Sequence, residues 1–152
     1  VQELLDAAGK YFKKSMKNRS EKIELEIEPM EAKVIGDVNQ LCFLLENLID
    51  EALTVREDGV IRLQARQDNE YIRFLFTDTR REKSVEELNQ LFYPNLARMT
   101  SGEKGELRGT EYLVCKQIIR DHDEFAGRRG CRINAEPAEG GGFTVYFTIP
   151  RR

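Results

Sequence analysis

The sequence predicts a two-layer α/β sandwich, a mixed sheet covered on one face by helices. Two observations carry this. Apolar residues recur at helical spacing in residues 1–18 and again in 41–54. Between and after them, IELEI, VIRLQAR, YIRFLFT, CRINAE and FTVYFTI are short strand-forming runs bounded by turn residues. In order they read helix, strand, helix, hairpin, helix, helix, hairpin, and elements so mixed bury their apolar faces by stacking helices on a sheet.

Val1, Leu4, Leu5, Ala8, Phe12 and Met16 give the first helix, residues 1–18, its apolar face. Lys13, Lys14, Lys17 and Arg19 gather at its end, where cations complement the helix dipole. IELEI, residues 23–27, alternates apolar and acidic residues, as a strand with one wet face does. Asp37 with Gln40 three residues on resembles a capping box, and Leu41, Leu44, Leu45, Leu48, Ile49 and Ala52 form the stripe of the helix behind it. VIRLQAR (60–66) and YIRFLFT (71–77), joined by DNE, predict a hairpin. Ser84 and Glu87 form a second capping box before a short helix that ends in Leu91 and Phe92.

Residues 93–108, YPNLARMTSGEKGELR, are polar and carry Gly and Pro, which predicts a mobile loop between the third and fourth helices. A helix then runs to about residue 121. CRINAE and FTVYFTI close the chain as a hairpin around PAEGGG, with Pro150 ending the last strand.

At 152 residues the chain has the length of one domain, and hydrophobic (40%) and charged (34%) fractions match a soluble protein. No apolar run reaches the length of a membrane span, so no direct membrane contact is expected. A net charge of −3 gives no basic face for nucleic acid. VQELLDAAG offers neither an initiator Met nor a signal pattern, so the chain is expected to be part of a longer protein. Cys42, Cys115 and Cys131 are far apart, odd in number and set in apolar segments. That pattern predicts small core residues in a reducing compartment. The single histidine, His122, has no partner at metal-ligand spacing.

Several stretches carry a likeness. DVNQLCFLLENLIDEAL (37–53) is similar to an asparagine-box helix in which D-x-x-x-L leads to N-L-L-x-N-A. FTDTRRE (76–82) resembles a strand end followed by the glycine box D-x-G-x-G, and Leu91–Phe92 resembles a phenylalanine box. GTEYLVCKQIIRDH (109–122) looks like G-L-G-L-A-I-V-K-Q-I-V-E-A-H, and GGGFTVYFTIP (140–150) like G-T-x-F-x-F-x-L-P. In this order they resemble the ATP-binding catalytic domain of sensor histidine kinases, one of the Bergerat-fold ATPases that also include DNA gyrase. The likeness spans the chain from residue 20 onward. Residues 1–19 look like a helix leading in from the dimerisation and phosphoacceptor domain.

The resemblance implies roles residue by residue. Asp78 stands where an Asp hydrogen-bonds the adenine amino group, Asn47 at the first Asn of its box, and Gly109 at the first glycine of the second glycine box. Glu51 replaces the Asn that holds Mg²⁺, a substitution a carboxylate tolerates. Other positions depart from the pattern: Arg80 and Glu82 replace glycines, Glu111 replaces another, Thr110 and Tyr112 replace leucines, and Phe143 replaces a small residue near the adenine. Arg80 is expected to project into or across the slot. His122, Asp123 and Glu124 stand for an H-G-G turn, followed by a short insertion to Gly130.

A micromolar ligand binds with about 8 kcal/mol. A like charge some 4 Å from a phosphate costs about 4 kcal/mol at an effective dielectric of 20. Glu82 and Glu111 would each add such a charge unless they point away.

From the residues alone, plainer readings stand beside these. Asp78 would end a strand, Asn47 would be a solvated or strand-capping amide, and Glu51 with Glu46 and Asp50 a solvated acidic edge. Residues 140–142 would serve hairpin geometry, while Arg98, Lys104 and Arg108 would be hydrated loop charges. The expected function is a two-component signalling domain with degenerate nucleotide motifs, acting as a structural or signalling module with weak or no ATP binding. Its partners would be the helices of its parent protein and a response regulator, in the cytoplasm. The rival is a working core: Asp78 reads adenine, Glu51 holds Mg²⁺, and the γ-phosphate passes to a histidine elsewhere in the parent. A third reading, an unrelated α/β binding module, would show a different strand order.

Overall fold

The computed structural model describes residues 1–92, 111–126 and 131–152. Gly109, Thr110, the 93–108 segment with its three cations, the 127–130 insertion and the side chain of Glu111 lie outside the described residues.

The strands are β1 (Ile23–Ile27), β2 (Gly59–Asp68), β3 (Tyr71–Asp78), β4 (Ile133–Pro137) and β5 (Phe143–Pro150). They form one five-stranded sheet in the order β1-β2-β3-β5-β4. Among the described residues only β1 and β2 run parallel; the other pairs are antiparallel hairpins or neighbours. A parallel pair needs a long crossover, and the segment carrying α2 (Val38–Ala52) supplies it. The expected mixed sheet with helices is therefore observed. Side chains alternate across the pleat, so Ile61, Leu63, Ile72, Phe74, Phe76, Val145, Phe147 and Ile149 are buried. Phe74 and Phe147 stack at the centre with ring centroids 4.8 Å apart. Arg62 and Arg66, on the opposite face of β2, are exposed.

Local signals fixed most boundaries. The β2–β3 turn is shorter than the expected DNE: Asp68 completes the strand, and Asn69 takes a left-handed φ of 58°, which Asn tolerates. Asp37 caps α2 by accepting from the Gln40 N–H at 3.1 Å. Ser84 and Glu87 close a full capping box at α3 (Val85–Gln90).

Two expectations need correction. Helix α4 (Glu111–Ala126) does not stop near residue 121, so His122, Asp123 and Glu124 are helical rather than a turn. The reason is His122, which is buried: its Nε2 accepts from the Asp37 N–H (3.0 Å) and its Nδ1 lies 2.8 Å from the Ile118 carbonyl. An N–H donor on Nε2 fixes the Nδ1–H tautomer, and the ring ties α4 to the start of α2. Arg19, grouped from sequence with lysines that complement the dipole of the first helix, instead donates from Nη2 to the Leu53 carbonyl at 2.7 Å.

Helix α1 (Gln2–Met16) buries Leu4, Leu5, Ala8 and Phe12 in the same core as α2. At its edge Tyr11 Oη donates to Asp50 Oδ1 at 2.7 Å. Burial first, then that bond and the negative charge of Asp50, push the Tyr11 phenol up to about 12. A phenol raised in the folded state contributes stability that is whole below the ordinary value near 10 and is lost as pH rises through 12. Tyr11→Phe is therefore expected to be less stable than the parent by about 1 kcal/mol at neutral pH. Its stability should also fall less steeply between pH 10 and 12, as denaturant midpoints measured across that range would register.

All three cysteines are free thiols; Cys115 and Cys131 are buried and Cys42 is half-buried. Among the described residues no helix is long and apolar enough to cross a membrane, and no cluster of His, Cys, Asp or Glu is set to hold a metal ion.

Candidate functional site

Most of the residues singled out from sequence converge where β3 ends, β5 begins and α2 runs out. Residues 72, 74 and 76 of β3 point to the helices, so Asp78, next in that period, does too, and it is buried. Its strand neighbours are Ile61 and Phe143.

Arg80 folds back onto Asp78 rather than across the slot. Its Nε and backbone N–H donate to Asp78 Oδ1 (2.9 and 3.0 Å), and one Nη2 hydrogen goes to Oδ2 at 2.8 Å. The other Nη2 hydrogen reaches the Ala52 carbonyl at 2.6 Å, while Nη1 serves the carbonyls of Val55 (2.9 Å) and Glu57 (3.0 Å). A guanidinium has five N–H donors, and these bonds use all of them. The charge sits at the C-terminal end of α2, where unpaired carbonyls carry partial negative charge.

The two side chains are 1% and 4% exposed, so this ion pair is desolvated. Gly59 makes the geometry possible: a Cβ there would lie 2.5 Å from Arg80 Cγ.

Above this pair lies a cavity of about 190 Å³ whose wall includes Leu48, Glu51, Asp78, Tyr112 and Phe143, with Arg81 and Lys83 also contributing. Pockets that bury small ligands commonly span about 300–1,000 Å³. Buried Phe143 and Tyr112 take up part of the space, and Tyr112 packs edge-on against Phe92 with centroids 5.6 Å apart. The two box positions thus meet as a hydrophobic contact. Lys83 Nζ stands 5.4 Å from the Phe143 ring centre, a cation–π distance.

Asn47 is buried, neither solvated nor capping a strand: its amide donates to the Phe43 carbonyl one turn back, at 2.7 Å. Glu51 follows one turn later on α2 and reaches the cavity wall. Glu82 is exposed and does not line the cavity; its carboxylate leans toward Gly141.

Besides the backbone carbonyls of Val55 and Glu57, three participants were not singled out from sequence: Gly59, Arg81 and Lys83. A glycine directly before a strand was the available signal for the first. Nothing local distinguishes the other two from surface cations.

The fold and this site define a class. The model of the histidine kinase-, DNA gyrase B-, and HSP90-like ATPases matches residues 36–152, and the chain belongs to that family. No curated protein sequence matches the chain. Among solved structures it is similar to the nucleotide-free catalytic domain of histidine kinase ThkA, with 21% identity, a TM-score of 0.75, and coverage of 99% of this chain and 92% of that one. It is likewise similar to the mycobacterial sensor histidine kinase MprB, at 19% identity and a TM-score of 0.68, covering 97% and 93%. Histidine kinase ThkA in complex with the response regulator protein TrrA gives 20% identity and a TM-score of 0.72; this chain is covered fully and spans 40% of that one.

Proposed function

We propose that the chain is the catalytic-domain module of a two-component sensor histidine kinase, with weak or no nucleotide binding and a structural or signalling role. The observation that carries this is the Asp78–Arg80 pair. Three of the roughly four acceptor sites on the Asp78 carboxylate are taken by Arg80. Its charge is matched in place, so an adenine amino group gains little by donating to it. The small cavity and the Phe143 and Tyr112 rings on its wall support the same reading. ATP does not fit these residues well, and no phosphoryl-transfer step is assigned to them. Helix α1 and residues 17–19 would lead in from the phosphoacceptor helices of the parent. The partners are those helices and a response regulator, the class of protein that ThkA holds in its complex, in the cytoplasm.

The rival reading, a working kinase core, draws on one observation: Asp78 and Glu51 line the same cavity, where a purine and its Mg²⁺ would need them. Calorimetric titration with a non-hydrolysable ATP analogue, with and without Mg²⁺, separates the two. The expected result is no saturable heat up to about 1 mM, a level that corresponds to only about 4 kcal/mol of binding. Micromolar, Mg²⁺-dependent binding would establish the working core instead.

A further inference from the structure

We infer that the 52–58 segment couples the slot to the lead-in helix, with Arg80 as the fixed partner of Asp78 in the slot wall; this rests on the reading that nucleotide no longer governs the site. The segment is held from two sides in alternation. From the β3 side, Arg80 takes the carbonyls of Ala52, Val55 and Glu57, and Arg81 pairs with the Glu57 carboxylate at 3.2 Å. From the α1–β1 connection, Arg19 takes the Leu53 carbonyl at 2.7 Å, and Glu21 pairs with Arg56 at 3.2 Å. The Lys22 N–H donates to Asp58 Oδ1 at 2.8 Å, and the Gly59 N–H returns a bond to the Lys22 carbonyl at 3.1 Å.

These contacts differ in weight. Arg56 and Arg81 are 69% and 58% exposed, so their ion pairs are screened by water. Arg19 and Arg80 are only 15% and 1% exposed, so their bonds to carbonyls run through a poorly solvated region. Arg19 is also fixed to the end of α1. Asn18 turns the chain with a left-handed φ of 72°, and the Arg19 N–H bonds to the Met16 carbonyl. A shift of the Ala52 and Val55 carbonyls toward or away from Arg80 therefore moves the Leu53 carbonyl between them, and Arg19 and the end of α1 with it. In this geometry Arg80 is a positioning residue: it sets how α1 leaves the domain without touching α1.

Hydrogen exchange of the whole chain, without nucleotide, tests this for the parent, Arg80→Ala, Arg80→Lys and Arg19→Ala. Removing the fork is expected to speed exchange in 52–58 and also in 17–23 at least tenfold more than in the core strand 72–76, whose rise reports only the loss of global stability. Arg80→Lys keeps the charge but not the fork and should behave like Arg80→Ala. Coupling is reciprocal, so Arg19→Ala should speed exchange at 79–81.

Faster exchange confined to 52–58, an even rise over the whole chain, or full protection in Arg80→Lys would each overturn the inference. If Arg80→Ala does not fold, Arg19→Ala decides alone, and unchanged exchange at 79–81 would sink it. The titration with ATP analogue fails or succeeds independently of this pattern, so the two readings are judged apart.

Discussion

Replacing Arg80 with alanine is expected to lower stability by about 3–5 kcal/mol, because it leaves the Asp78 carboxylate buried without its partner. An exposed ion pair would contribute no more than about 1 kcal/mol, so the size of the loss decides which kind of pair this is. The side-chain exposures of 1% and 4% place it among the buried ones. The loss includes three backbone carbonyls, at Ala52, Val55 and Glu57, that give up their donor. In a domain of this size the melting temperature should fall by roughly 10 °C. Denaturant unfolding should show a lower midpoint with an unchanged slope, since the same surface is exposed on unfolding.

Removing both charges with similar volume, as in Asp78→Leu with Arg80→Met, is expected to cost less than the sum of the single changes, because neither charge is then stranded. A loss below about 1 kcal/mol in Arg80→Ala would mean that water reaches Asp78 readily. The case against nucleotide would then weaken with it.

Much of this domain is legible without coordinates because its signals are local. IELEI alternates and becomes β1, the Leu41–Ala52 stripe becomes the buried face of α2, and Ser84 with Glu87 closes the box their spacing announces. That Asp78 and Glu51 share one cavity wall is what the resemblance implies, for the periods place each at the end of its element without saying that those ends meet.

What failed was non-local. The direction of Arg80 depends on a glycine twenty-one positions earlier and on carbonyls at the end of another helix, none of which is marked by spacing. The polar run His122–Glu124 looks like a turn until the Asp37 N–H, which arrives from α2, gives the imidazole a partner inside the helix. Arg19 belonged by position to a cationic cluster at the end of the first helix and by geometry to the Leu53 carbonyl. In these three a polar side chain meets a backbone group distant in sequence, the class of contact that residue patterns do not encode.

The glycines at 140–142 give the second large effect, and a comparison within one turn. All three have positive φ, at 82°, 110° and 84°. Reading them as a permissive hairpin accounts for that much. It does not account for Gly142, where a Cβ would collide with the Asp78 carbonyl and with the backbone of Thr79. Here the turn lies directly on the end of β3 that orients Asp78 and Arg80.

Gly140 has a similar φ and open space around its missing Cβ. Gly140→Ala should therefore bear only the left-handed penalty, about 1–2 kcal/mol. Gly142→Ala should bear that penalty plus an overpacking cost of about 1–3 kcal/mol. Because backbone cannot swing aside as a side chain does, the strain should pass into the Asp78–Thr79 peptide and loosen the Arg80 fork. Equilibrium unfolding of the two variants side by side checks the order: Gly142→Ala must be the less stable by at least about 1 kcal/mol. Equal losses would mean that the turn is held only by its own dihedrals. The close seating of the β4–β5 turn on the Asp78 strand end would then play no part in building the site.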